Sequence, residues 1–184
     1  MWCDHVALGL AVVLAAAGPA YADQSPYHLG RSPTQAEIDA WNIDVRADGQ
    51  GLPAGHGSVA QGRAVFAETC AACHGDKGQG GLADPLAGGF GTLTQPNPVR
   101  TVGSYWPYAT TLFDFIRRAM PFNAPESLSN DQIYAVSAYV LSLSGVISGD
   151  TVLNAATLPK VVMPNQNGFI SPDPRPDVPV AAHH

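Results

Sequence analysis

The chain has 184 residues, 46% of them hydrophobic, which is enough to bury one core of ordinary size. Its 15 acidic residues against 9 Lys and Arg give a formal charge of −6, which argues against nucleic acid as a partner because phosphate binding needs a basic surface. Gly (19) and Pro (16) are abundant and charged residues make up only 13%, so long ordered loops around a few helices are expected, with no obvious strands.

The first residues, MWCDHVALGLAVVLAAAGPAYADQS, hold an unbroken apolar run over 6–17 followed by Ala20-Tyr21-Ala22. This is the pattern of a cleaved secretory leader over residues 1–22. The run is too short for a membrane span, which needs about 20 apolar residues. Its start departs from the usual pattern in lacking Lys and Arg, with His5 and the terminal amine in their place. Cleavage after Ala22 removes Met1, Cys3, Asp4 and His5, leaving Cys70 and Cys73 as the cysteines and a charge of about −5. Two thiols supply neither a disulfide scaffold nor a four-ligand zinc site.

Residues 23–57 read as an arm. Within it SPTQAEIDAW predicts one short helix with two possible starts: Ser32 with Pro33 first in the helix and Gln35 reaching back, or Thr34 boxed with Glu37. The segment SVAQGRAVFAETCAACH opens with a Ser58/Gln61 box and predicts a helix running into the cysteines. Gly62, one turn before Phe66, offers a flat patch where another helix can approach.

After His74 the chain runs to residue 107 without useful periodicity, yet holds Leu82, Leu86, Phe90, Leu93, Tyr105 and Trp106. A loop this long and this apolar needs something to lie on, and a large apolar cofactor is one answer. TTLFDFIRRAMPFNAP then predicts a helix stopped by Pro121, with Leu112, Phe113, Phe115, Ile116 and Ala119 on its apolar side and Arg117 and Arg118 in its last turn. The final helix, SNDQIYAVSAYVLSLSG, is capped by Ser129 with Gln132, carries a stripe of Ile133, Val136, Val140 and Leu143, and ends at Gly145. Tyr139 flanks that stripe, able to meet Gly62 and Phe66. Residues 146–184 are Pro-rich and read as an extension lying on the domain or on a partner.

Cys70-Ala71-Ala72-Cys73-His74 is the attachment motif for c-type haem. The thiols add to the haem vinyl groups, and the turn between them puts both sulfurs on one side with the imidazole facing the iron. A thioredoxin-like pair would want a βαβ pattern nearby, and none is visible. For the sixth iron position the candidates are Met120, Met163, His28, His56, His183 and His184. Met120 is favoured, since it sits between two helices in A-M-P-F, where Pro121 holds a turn. Met163 would need the tail to fold back across the haem, and the usual role of a Met is to fill a core gap.

With these residues in view, C-A-A-C-H, Pro85, A-M-P-F and the helix bearing Tyr139 resemble a class I cytochrome c over residues 58–145. The segments WNIDVRADGQGLP, VGSYWPYATTLFDFIRRAMPFNAP and TLPKVVMPN resemble the cytochrome subunits of bacterial sulfite dehydrogenases and the related sulfane dehydrogenase cytochrome of sulfur oxidation. The single C-x-x-C-H resembles the one-haem sulfite dehydrogenase subunit more than the sulfane dehydrogenase cytochrome, which can carry two. The resemblance implies an all-α, class I cytochrome c fold with packed N- and C-terminal helices over 58–145, flanked by the 23–57 arm and the 146–184 tail. It implies one covalent haem c, held by Cys70 and Cys73, with His74 and Met120 as axial ligands. It further implies that the Pro85 carbonyl accepts the His74 Nδ1 hydrogen, and that Tyr105, Trp106 and Arg117 or Arg100 lie near the haem propionates. The function implied is that of a periplasmic one-electron carrier, not itself an enzyme. Electrons would come from a molybdenum sulfite dehydrogenase catalytic subunit and leave to a downstream c-type cytochrome. Two alternatives stand beside it: a free-standing shuttle, and a haem enzyme or ligand sensor in which Met120 is displaced.

Overall fold

The computed structural model describes residue 27 and residues 29–170. The leader, His28, and residues 171–184 with His183 and His184 lie outside the described residues. The chain divides into two compact bodies, one ending at Trp41 and the other beginning at Asn42.

The first body holds helix α1 (Gln35–Trp41). Of its two possible starts the structure forms Thr34 with Glu37: the Thr34 N–H donates to Glu37 Oε2 at 2.8 Å and the Glu37 N–H donates to Thr34 Oγ1 at 3.3 Å. Arg31 also pairs with Glu37, at 2.5 Å. That guanidinium, helped by the Thr34 donors, holds the Glu37 carboxyl down at about 2.

The second body is helical: α2 (Val59–Thr69), α3 (Ala71–His74), α4 (Val102–Tyr105), α5 (Ala109–Ala119) and α6 (Asn130–Leu143). One antiparallel ribbon joins β1 (His56–Ser58) to β2 (Val152–Asn154), with Gly57 opposite Leu153, and a 3₁₀ turn follows at Leu158–Lys160. Full capping boxes start α2, at Ser58 and Gln61, and α6, at Ser129 and Gln132. Each such cap contributes about 1 kcal/mol.

α2 packs against α6 at its glycine. A Cβ at Gly62 would overlap the carbonyl oxygen of Ala135, so the two backbones approach as closely as they do only because position 62 has none. One turn on, Phe66 meets Tyr139 edge to face at 5.2 Å between ring centres. Burial on α6 is broader than the predicted stripe, extending without a break from Ile133 to Leu141. The reason is that α2, α5 and both strands surround it.

The segments flanking 58–145 supply part of that cover. Residues 42–57 belong to the second body, and Val45 is buried in its core. Beyond Gly145, Leu153, Leu158 and Met163 are each at most 1% exposed, so the described part of the tail lies on the domain and plugs three residues into its core. Within α5, Leu112, Phe113 and Ile116 face the core as predicted, whereas Phe115 is 45% exposed and meets Trp106 edge to face at 5.8 Å. Among the described residues no helix is long and apolar enough to cross a membrane.

Candidate haem site

The thiol pair stands where α2 gives way to α3. Cys70 ends α2 with its N–H on the Phe66 carbonyl at 2.9 Å, and its own carbonyl accepts the His74 N–H at 3.0 Å, so Cys70, Cys73 and His74 share one helical turn. Both thiols are free; Cys70 is half-buried beside the core and Cys73 is exposed. Burial pushes the Cys70 thiol up, the Thr69 hydroxyl at 3.3 Å partly offsets this, and neighbouring Cys73 adds to it.

The end of α3 dictates the path of the loop that follows. Its last carbonyls have no partner within the helix and must find donors elsewhere. The Gly80 N–H supplies one to His74 at 2.8 Å and the Ala83 N–H another to Cys73 at 2.9 Å, curling residues 75–83 back onto the motif. The Asp84 carbonyl is thereby delivered to His74 Nδ1 at 2.8 Å. A carbonyl only accepts, so Nδ1 carries the proton and Nε2 is left with the free lone pair a metal requires. This corrects the expectation for Pro85: the acceptor is the carbonyl of the residue before it. Pro85 acts through the bond it terminates, since a proline restricts the residue ahead of it to extended backbone.

The other expected residues are distributed as follows. Met120 is the residue at which α5 ends, with its N–H on the Ile116 carbonyl at 3.1 Å, and its side chain packs half-buried against the core. Its bond to Pro121 is cis. Met163, the rival thioether, is 1% exposed within the core cluster, as a gap-filling Met would be. Tyr105 and Trp106 are both half-buried at the end of α4, a helix not anticipated in the loop. Arg100 lies over the Tyr105 ring at 5.4 Å. On its other flank Tyr105 meets Phe169 at 5.2 Å, and its carbonyl accepts from Asn165 Nδ2 at 2.7 Å. Arg117 donates to the Ile43 carbonyl at 3.1 Å, which commits one of its nitrogens to residues preceding β1.

These residues fit a haem. Two free thiols share a turn with an imidazole whose Nε2 is unencumbered, and a soft thioether caps α5. Val65, Leu86, Trp106, Met120 and Leu143 are apolar but only partly buried along the core's flank. Leu82 and Phe90, in the loop leaving the motif, are 90% and 49% exposed. Apolar side chains left uncovered beside such a donor set suit a flat hydrophobic cofactor.

Comparison with known proteins agrees. The cytochrome c family model matches residues 59–144. The thiosulfate dehydrogenase of Stutzerimonas stutzeri (strain A1501) is 34% identical over 93 residues, covering 49% of this chain. This chain matches only 29% of that relative's length. A chain in the crystal structure of the sulfane dehydrogenase SoxCD from Paracoccus pantotrophus is 48% identical with a TM-score of 0.75. That match covers 80% of this chain and 73% of the other, so it reaches well past the family core. The chain therefore belongs to the cytochrome c family, as a class I c-type cytochrome related to those of sulfur oxidation, with haem c bound covalently.

Proposed function

We propose that this protein is a periplasmic electron carrier. Cys70 and Cys73 hold the haem through thioethers, and His74 and Met120 are its axial ligands. It accepts single electrons from a molybdenum-containing sulfur-compound dehydrogenase and passes them to a downstream c-type cytochrome. Haem iron supplies a one-electron couple whose potential a Met thioether raises. The polypeptide's part is to fix that couple. Asp84 orients the imidazole and raises its basicity, Met120 would supply a thioether to the iron, and bonds to Cys70 and Cys73 would prevent loss of the cofactor.

The observation that carries this reading is the Asp84 carbonyl on His74 Nδ1, because it turns Nε2 free toward a metal on the same helical turn as the two thiols. The partner assignment is supported by the similarity of most of the chain, extensions included, to a chain of a sulfane dehydrogenase. That similarity also favours a second reading of the donor, in which its substrate is sulfane sulfur and not sulfite.

Two experiments test the proposal. In the first, Met120→Ala lowers the potential and opens the ferric iron to added ligands, while Met163→Ala leaves potential and spectrum alone; the reverse pattern would reassign the ligand. In the second, the native protein is isolated from the periplasm and its copurifying chains identified, then its reduction is followed with sulfite and with a sulfane substrate. Recovery alone, with neither substrate reducing it through a molybdoenzyme, would favour a free shuttle.

A further inference from the structure

Three polar residues of α5, the buried Thr110 and Asp114 and the half-buried Arg117, lie at one-turn spacings on a single side of the helix. All three bind the backbone of the segment before β1. Thr110 Oγ1 donates to the Ala47 carbonyl at 3.2 Å, Asp114 Oδ1 accepts the Val45 N–H at 2.9 Å, and Arg117 donates to the Ile43 carbonyl at 3.1 Å. As α5 ascends from 110 to 117 the segment descends from 47 to 43, so the two run antiparallel, joined by three rungs.

The segment is stiff enough to act as a rail. The Arg46 N–H donates to the Gln50 carbonyl at 2.9 Å and the Leu52 N–H to that of Gly49 at 3.1 Å, closing a compact turn. Gly51 sits at φ +91°, and a Cβ there would overlap the Asp44 carbonyl oxygen. At its far end the Pro53 carbonyl accepts the Tyr134 hydroxyl at 2.9 Å, tying the rail to α6. The middle rung is the most enclosed, since Asp114 is 7% exposed and its other oxygen is paired with Arg118.

Met120 terminates the same helix, three residues beyond the last rung. A helix advances 1.5 Å and turns 100° per residue, so any slip or rotation of α5 displaces the thioether directly. We propose that residues 43–53 brace α5 so that Met120 stays seated on the iron, with Asp114 as the positioning residue. The brace lies outside the 59–144 family match, so it is an addition to the common core. This inference rests on Met120 being the distal ligand.

Imidazole binding to the purified, haem-loaded ferric protein tests it, followed by the change in haem absorption and compared with the thermal melt of each variant. Asp114→Ala removes the acceptor, and Gly51→Ala disturbs the rail without altering an atom of α5. Each is expected to raise imidazole affinity about tenfold, equivalent to about 1.4 kcal/mol. Asp114→Asn keeps a carbonyl for Val45 and should stay near wild type. Should Asp114→Ala fail to fold, Gly51→Ala alone still decides. The brace is overturned if Gly51→Ala folds with unchanged affinity, or if Asp114→Asn matches Asp114→Ala, which would make the effect one of charge. Met120→Ala is the reference and should raise affinity most. If it changes nothing, the ligand assignment fails together with the brace, whereas a large effect there beside silent rail variants removes only the brace.

Discussion

Helix α6 and the loop over residues 75–101 are held in place by opposite means. From Ile133 to Leu141 every side of α6 meets protein, and its order follows from apolar burial. The loop instead relies on backbone hydrogen bonds returning to Cys73, His74 and Gly78, while Leu82, Phe90 and Val99 remain exposed. One region carries its own core, and the other is shaped for a hydrophobic surface that the polypeptide does not provide. Losing the cofactor should therefore harm the two unequally.

The sharpest way to expose that inequality is the double variant Cys70→Ser, Cys73→Ser. Covalent haem should be absent from the exported protein after acid-acetone extraction, and amide hydrogen exchange at Gly80, Ala83 and Leu86 should accelerate far more than at Val136 or Val140. Equal loss of protection in both regions would erase the contrast. A smaller effect tests the body alone. Gly62→Ala forces a methyl group into the Ala135 carbonyl and should cost about 1–3 kcal/mol in denaturant unfolding, the usual range for overpacking. The haem spectrum of the folded protein should not move, because the clash lies between α2 and α6; a spectral change there would mean that the two regions are coupled.

The smallest effect is expected in alkali. Burial pushes the Tyr134 hydroxyl up to about 12 from its ordinary 10, with Arg117 opposing. Between those values the unfolded chain gives up this proton before the folded one does, so stability is intact below pH 10 and is lost as pH rises toward 12. The slope is at most about 1.4 kcal/mol per pH unit. Denaturation midpoints measured across that window should fall, and Tyr134→Phe should remove this part of the slope; an unchanged slope would show that another group governs it.

What the sequence revealed depended on whether a structural role has a side-chain signature. The Ser58/Gln61 and Ser129/Gln132 boxes marked two helix starts, and C-A-A-C-H marked the haem turn. Helix α4 was missed because its box is Thr101 with Ser104, and Ser is not the Glu or Gln that such a pattern looks for. The three-residue strands could not be read either: each buries a single residue, and their pairing joins positions far apart in the chain. Leu153, Leu158 and Met163 fall at intervals of five, matching neither helix nor strand, so their burial left no periodic trace. The acceptor for His74 is a main-chain oxygen, and only the proline beside it was visible. Asp114 looked like an ordinary polar residue on a helix, because its partner is a backbone N–H 69 positions away.

The ribbon between residues 56–58 and 152–154 bears on how such a protein could be made smaller. Trimming the chain to the span shared with its family would strip β2, Leu158 and Met163 from the body and leave the flank of α6 beneath β2, and of α5 beneath the Leu158 turn, open to water. A minimal version would have to be repainted with polar side chains along those flanks before it could circulate alone. The added segments are thus structural walls of the present molecule, and shortening it is a redesign problem and not a matter of pruning.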